Sequence, residues 1–373
     1  MKKIFFISLA FYLLVAGCKE RFDPPLGLAT KSLLVVEANL NPQGPASVRL
    51  SRTTSVYSSS SIVVENNALV TIEGKDNTVQ QMPATGSGNY SLLNPAMIIG
   101  NEYRLRIKTA GGDEFLSAYV KAKRTPLLDS ITWERTQKGV QISVNTKDPL
   151  NSTGYYRWDY VETWELRSVF KSLLIWRNGA LRDRNFPAED VRTCWKNSPS
   201  TGIFLANSLR LETDIISKIP IVLIPENNEK LFVRYSIIAK QYALDADAYN
   251  FYEILKKNTE DIGTFFGPLP SELKGNINCV NKPGESVIGF VTASEVNEKR
   301  IFIDASQVLP WRDLTWCEEY SIANNKDSIQ SAIDNGWLPV AYTGNPPNRY
   351  IFSLPYCVDC TTRGGVTIRP SFW

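Results

Sequence analysis

Past residue 30, apolar and polar residues mostly alternate in pairs, and glycine, asparagine or proline breaks the runs at short intervals. Period-two alternation between turn signals predicts β-strands. Leu33 to Ala38 is apolar and β-branched, and Val48 to Ser51 alternates. Ala68 to Glu73 and Thr78 to Met82 flank Gly74-Lys75-Asp76-Asn77, which predicts a hairpin. Gly88 to Leu92 is a further short strand. In the next, Tyr103, Leu105 and Ile107 fall on one face, with Arg104, Arg106 and Lys108 on the other. Ala110 to Asp113 turns that strand into Glu114 to Val120, and Ser58 to Ser61 predicts an exposed loop. Short strands with no helical period predict a β-sandwich of roughly seven strands over residues 31–124.

From residue 125 to 373 the pattern predicts a second β-rich domain. It opens with Leu128 to Trp133 and Gly139 to Val144. Its strongest strand is Tyr155 to Leu166, with Tyr156, Trp158, Tyr160, Trp164 and Leu166 on one face and Arg157, Asp159, Thr163 and Glu165 on the other. Such alternation predicts a strand buried on one side. Glu162 falls on the aromatic face, where an unpaired carboxylate is costly. The expectation is a pairing arginine or a partly wet face. Phe170 to Asp214 is irregular and predicts a long insertion held by Cys194. Strand pattern resumes at Ile221 to Ile224, Leu231 to Ile238, Val287 to Phe290 and Arg300 to Ile303. One amphipathic helix is predicted near 245–258: Asp245 or Asp247 can cap it, and Ala248, Phe251, Tyr252 and Leu255 make an apolar stripe.

The start of the chain has a different pattern. Met1-Lys2-Lys3 precedes an apolar run from Ile4 to Leu14, then Val15-Ala16-Gly17-Cys18. A basic head, an apolar middle too short to span a bilayer, and small residues before the cut predict a signal peptide over residues 1–17. Cysteine directly after Ala16-Gly17 resembles the bacterial lipobox, which implies lipidation of Cys18 and a membrane anchor. Residues 18–30, with Lys19 to Asp23 and Pro24-Pro25, then form a solvated tether. Several acyl chains hold a protein firmly where a single one is marginal.

Composition narrows the function. The 373 residues carry a formal charge of +3, which falls to +1 without Lys2 and Lys3. A near-neutral surface argues against nucleic acid as a partner. Histidine is absent, which removes the commonest general base and zinc ligand. No catalytic site, metal site or cofactor is expected. Beyond Cys18 the cysteines are Cys194, Cys279, Cys317, Cys357 and Cys360. An exported chain meets an oxidising compartment, so these are disulfide candidates. Five thiols allow fifteen two-bond arrangements, since any of the five can be left over and the other four pair in three ways. The favoured one joins Cys194 to Cys279 and Cys317 to Cys357 or Cys360.

Four features invite a sharper reading. Cys357-X-X-Cys360 could be redox-active or half a zinc site, but it lacks the βαβ setting and the second ligand pair, which favours structural disulfides. Asp245-X-Asp247-X-X-Asn250 lacks the glycine and distal glutamate of a calcium loop, which favours helix capping. The strip Tyr156, Trp158, Tyr160 and Trp164 is the candidate binding surface, for a stacking sugar or peptide, but tryptophan faces at strand spacing favour core. The row Arg104, Arg106 and Lys108 is either a solvated face or a partner contact. A hydrolase using Glu318 and Glu319 is disfavoured, because adjacent residues on a strand point to opposite faces.

Several segments together resemble the Bacteroidota lipoproteins grouped as domain of unknown function four-two-four-nine. They are the lipobox at Cys18, Leu34 to Ala38, Gly100 to Ile107, Pro126 to Ile131 and Tyr235 to Gln241. Gly275 to Ile277, Val287 to Phe290, Lys299 to Ile303 and the stretch from Cys357 to Trp373 also match. The resemblance implies a mainly β chain: an immunoglobulin-like sandwich followed by a second β-rich, fibronectin-like domain. It also implies an accessory lipoprotein encoded beside a TonB-dependent outer-membrane receptor, with no catalytic residues to carry over. The expectation is thus a non-enzymatic outer-membrane lipoprotein, at the cell surface or the periplasmic face, that aids nutrient capture or uptake. The alternative is a structural or adhesive surface lipoprotein.

Overall fold

The computed structural model describes residues 32–54, 62–260, 273–311 and 315–373. The leader, Cys18, the tether and the Ser58 to Ser61 loop lie outside the described residues. The fold is mainly β, built from two sandwiches and a small terminal lobe.

The first unit is a sandwich of two sheets. One of its sheets runs Val287–Thr292, Leu34–Asn39, Ala46–Arg52, Asn89–Leu92, Ala84–Gly86. The other runs Ile277–Cys279, Glu114–Ser117, Glu102–Lys108, Leu69–Gly74, Val79–Met82. Alternation sets the core: Leu34, Val36, Leu50, Ile72, Tyr103, Leu105, Ile107 and Phe115 all point between the sheets. The predicted hairpin across Gly74 to Asn77 forms, with Val70 opposite Met82. Glu114 to Val120 is split instead into Glu114–Ser117 and Val120–Lys121.

The boundary at residue 124 needs correction. Two strands of this sandwich come from far down the chain. Val287–Thr292 lies parallel to Leu34–Asn39, and Ile277–Cys279 pairs with Glu114–Ser117. Each covers an edge that would otherwise expose unpaired backbone. The close approach depends on Gly275, where a Cβ would meet the carbonyl oxygen of Gly289 at 1.8 Å.

The second sandwich packs the sheet Leu128–Thr136, Gly139–Lys147, Ile215–Pro225 on the sheet Thr193–Pro199, Tyr155–Arg167, Arg234–Ala243, Val296–Asp304. Phe204–Asn207 pairs with the first part of Tyr155–Arg167. The expected helix is present as α1, Ala246–Thr259, with the Asp245 carboxylate accepting from the Ala248 amide at 2.8 Å. Capping therefore accounts for Asp245.

A second, shorter helix, α2 (Lys326–Asp334), has no counterpart among the predicted elements. It packs Ile329 and Ala332 on the small sheet of Tyr320–Ala323, Arg349–Ser353 and Leu338–Thr343. The hairpin Leu174–Arg177 to Ala180–Asp183, turning at Asn178-Gly179, joins this lobe through Trp176 and Leu181.

The disulfide expectation is half corrected. Cys194 bonds Cys360 and Cys317 bonds Cys357, while Cys279 is a buried free thiol. Cys279 belongs to the core of the first sandwich and Cys194 to that of the second, so they cannot meet. Cys194 and Cys360 lie 5.7 Å apart at Cα, within bonding range. Gly365 lets the tail close on this bond, since a Cβ there would sit 2.6 Å from the Cys194 Cβ. Both cysteines of the Cys-X-X-Cys pair are thus tied to other partners.

The sandwiches meet at a hydrogen-bonded joint. Lys123 bridges Ser294 and donates to the Leu244 carbonyl at 2.9 Å. The Thr125 hydroxyl donates to the Glu295 carbonyl at 2.6 Å and accepts from the Ala243 amide, and Asn297 donates to the Thr125 carbonyl at 2.6 Å. Asn39 reaches the Ser294 carbonyl from the first sandwich.

Candidate functional site

The strand Tyr155–Arg167 positions the candidate site, on the face opposite to the one favoured by its aromatic pattern. Tyr156, Trp158 and Trp164 are core residues, as the sequence favoured, so the stacking-surface candidate falls. Their polar ends are satisfied internally: the Tyr156 hydroxyl donates to Asp214 at 2.7 Å and the Trp158 indole to Gln241 at 2.8 Å. Burial and the Asp214 carboxylate push the Tyr156 hydroxyl well above its usual pKa. Tyr160 is half-buried against Phe204, with its hydroxyl pushed up to about 12 by burial and Glu162. Glu162 is buried, but its partner is a lysine. Lys230 reaches it at 2.6 Å and the Tyr235 hydroxyl donates at 2.9 Å.

The opposite face carries Arg157 and Asp159 into a cleft of about 620 Å³ between the sandwiches. The Arg157 guanidinium is stacked between Tyr242 at 4.4 Å and Tyr252 at 4.6 Å, and its Nη2 donates to Asp159 at 3.1 Å. Burial, with Asp159 alongside, pushes the Tyr242 hydroxyl well above its usual value, so it stays neutral. Helix α1 adds Phe251, Tyr252 and Leu255 to this wall. Phe251 packs on Phe290 with ring centres 5.3 Å apart.

The facing wall is the outer surface of the first sheet. Leu34, Val36 and Ala38 turn into the core, so Val35 and Glu37 turn outward. Strand register then sets Phe290, Glu37, Arg49 and Asn89 in one row across four strands. Glu37 and Arg49 are opposite neighbours and both exposed. Among the described residues neither makes an ion pair.

The remaining sequence candidates have structural explanations. Arg104 pairs with Glu73 at 2.7 Å, and Arg106 bridges Glu73 and Glu114, so two of the three cations in the basic row are neutralised in place. Burial works against ionisation of Glu73, but the two arginines together hold its carboxyl below the usual range. Glu318 accepts from the Trp316 indole at 2.9 Å and the Tyr320 hydroxyl at 3.2 Å on an exposed segment beside Glu319. Among the described residues no group of three acidic, cysteine or histidine side chains could hold a metal, and no helix is long and apolar enough to cross a membrane.

Sequence reasoning missed Glu37, Arg49, Tyr242 and Phe290 as cleft residues. The available signal was the opposite-charge pair Arg157 and Asp159 on the polar face of a strand whose other face is aromatic. The helix stripe Phe251, Tyr252 and Leu255 was visible, but which surface it meets was not.

The family model described as domain of unknown function (DUF4249) matches residues 19–300. No curated protein matches the chain. Among solved structures, a two fibronectin type-III domain segment from chicken tenascin is similar at 12% identity over 55% of this chain and 88% of that one, with a TM-score of 0.15. The selenomethionine-substituted chicken interferon gamma receptor alpha chain is similar at 13% identity over 57% and 90%, with a TM-score of 0.15.

Proposed function

The chain belongs to the DUF4249 family, and from that premise we propose that it is a non-enzymatic lipoprotein of the outer membrane that captures a nutrient beside a TonB-dependent receptor. The cleft between the sandwiches carries the capture part of this reading. Its volume falls in the range of small-ligand sites, and it combines apolar walls with a few convergent charges. The joint around Lys123, Thr125 and Ser294 supports a cleft that is formed before ligand arrives. The lipobox ending at Cys18 supports the anchor. Acyl chains would confine the protein to the plane of its receptor and raise their effective concentration, so weak contacts between them suffice.

The test is fractionation and co-purification from detergent-solubilised membranes. The wild-type chain is expected with the outer membrane and with a β-barrel receptor, and the Cys18→Ser variant is expected in the soluble fraction. An unlipidated variant that still sediments with membranes, or a pull-down containing no barrel, refutes the reading. A deletion that impairs attachment and leaves uptake intact would favour the adhesive alternative.

A further inference from the structure

We infer that the cleft binds short zwitterionic peptides, with Glu37 taking the ammonium group and Arg49 the carboxylate. The inference rests on the capture reading above and gives it a ligand class.

Three observations point there. First, Glu37 and Arg49 stand opposite each other on the wall formed by the first sandwich, both exposed, and neither is joined to another charge among the described residues. A neutral ligand covering them would strip water from two full charges and bring no counter-charge of its own, leaving only the two side chains to face each other. A zwitterion supplies both counter-charges at once. Arginine is also the cation best shaped to hold a carboxylate, through two parallel hydrogen bonds. Second, the rings of the opposite wall already have partners. The Arg157 guanidinium lies over a face of Tyr242 and a face of Tyr252, and Phe251 packs on Phe290. Each of those contacts takes ring surface that a stacking sugar would need. Third, the rest of the lining suits a peptide. Val35, Leu255 and Ile288 accept aliphatic side chains, while Asn89, Ser91 and Asp159 present acceptors and donors for amide groups.

The span sets the length. Directly opposed strand residues have Cβ atoms about 5 Å apart, and both side chains are long enough to diverge. Each extended residue of a ligand spans about 3.5 Å. Two or three residues therefore place both termini on the two charges.

Isothermal titration of the mature chain in detergent tests this, with Ala-Leu-Ala as probe. The controls are the same tripeptide acetylated and amidated at its ends, and maltotriose. The free tripeptide is expected to bind, and capping both ends to weaken it at least tenfold. Glu37→Gln and Arg49→Gln are each expected to weaken the free peptide about tenfold and leave the capped one unchanged. Both positions are exposed, so an unchanged thermal midpoint verifies folding. Equal affinity for free and capped peptide, indifference to both substitutions, or no binding of the free tripeptide would overturn the inference. Maltotriose binding that Leu255→Arg abolishes would also overturn it while leaving the capture reading intact. Loss of the receptor in the ligand-free pull-down instead strikes at the capture reading.

Discussion

Replacing Lys230 with methionine isolates the cost of one buried carboxylate. Glu162 is 4% exposed and has two partners, Lys230 at 2.6 Å and the Tyr235 hydroxyl at 2.9 Å. Methionine keeps an aliphatic stem of similar length and removes the ammonium, with its bond to Glu162 and its contact over the Trp164 ring. Breaking a buried pair on one side costs about 3–5 kcal/mol, because the remaining ion stays desolvated. The lysine side chain is 24% exposed, so water can partly take its place, and the lower end, about 3 kcal/mol, is expected. That is roughly a 150-fold change in the unfolding constant. Urea unfolding followed by tryptophan fluorescence reads it, since Trp158 and Trp164 are buried in this sandwich. Adding Glu162→Gln to the same chain should restore most of the loss, because a neutral amide can still accept from Tyr235. A loss below about 1 kcal/mol, or a double variant no better than the single one, would refute the claim that an uncompensated charge is the cause.

Other outcomes follow from the same structure. Non-reducing peptide mapping should join Cys194 to Cys360 and Cys317 to Cys357, with Cys279 alkylated only after denaturation; a peptide joining Cys194 to Cys279 refutes this pairing. The loops closed span 166 and 40 residues, so chain entropy gives losses of about 5 and about 4 kcal/mol when the first or second bond is removed by paired serine substitutions. Equilibrium unfolding checks that order. The Arg182 fork and the Asn185 amide hold the Glu189 carboxyl down to about 2. A depressed carboxyl stabilises the folded form fully above its ordinary value of 4.5, and that stability fades as pH falls toward 2. The stability gap between wild type and Glu189→Gln should therefore close over that window, and a gap independent of pH refutes the assignment. Gly275→Ala should cost about 1–3 kcal/mol, since the new methyl meets the backbone of Gly289 and one strand must shift; an unchanged melting temperature would contradict that contact.

Much of the fold was legible along the chain, because strand alternation is a local property. Tyr103, Leu105 and Ile107 are buried and the residues between them are not, as period two demands. The cap at Asp245 was legible for the same reason: cap and amide lie three residues apart. Helix α2 was not, because its few buried positions, Ile329 and Ala332, make too short a stripe to stand out from loop sequence.

The candidate site was legible only in part. The strand Tyr155–Arg167 stood out through its aromatic residues, yet those rings fill the core and the polar face opens to the cleft. Alternation separates two faces and cannot say which one another sheet will cover. The corrected disulfide has the same origin, since Cys194 and Cys279 differ in which sandwich buries them.

By itself, then, the sequence determined most strands of the two sandwiches with their inward residues, the cap of α1 and the lipobox expectation, all of which depend on neighbours within a few positions. Phe170 to Asp214 reads as irregular, where four strands form. Tertiary structure alone decided that Ile277–Cys279 and Val287–Thr292 return to the first sandwich, that Cys360 meets Cys194, and that Glu37 and Arg49 face Arg157 across a cleft. Those contacts join residues far apart in the chain. Sheet edges and buried faces select them, and no local pattern records that selection.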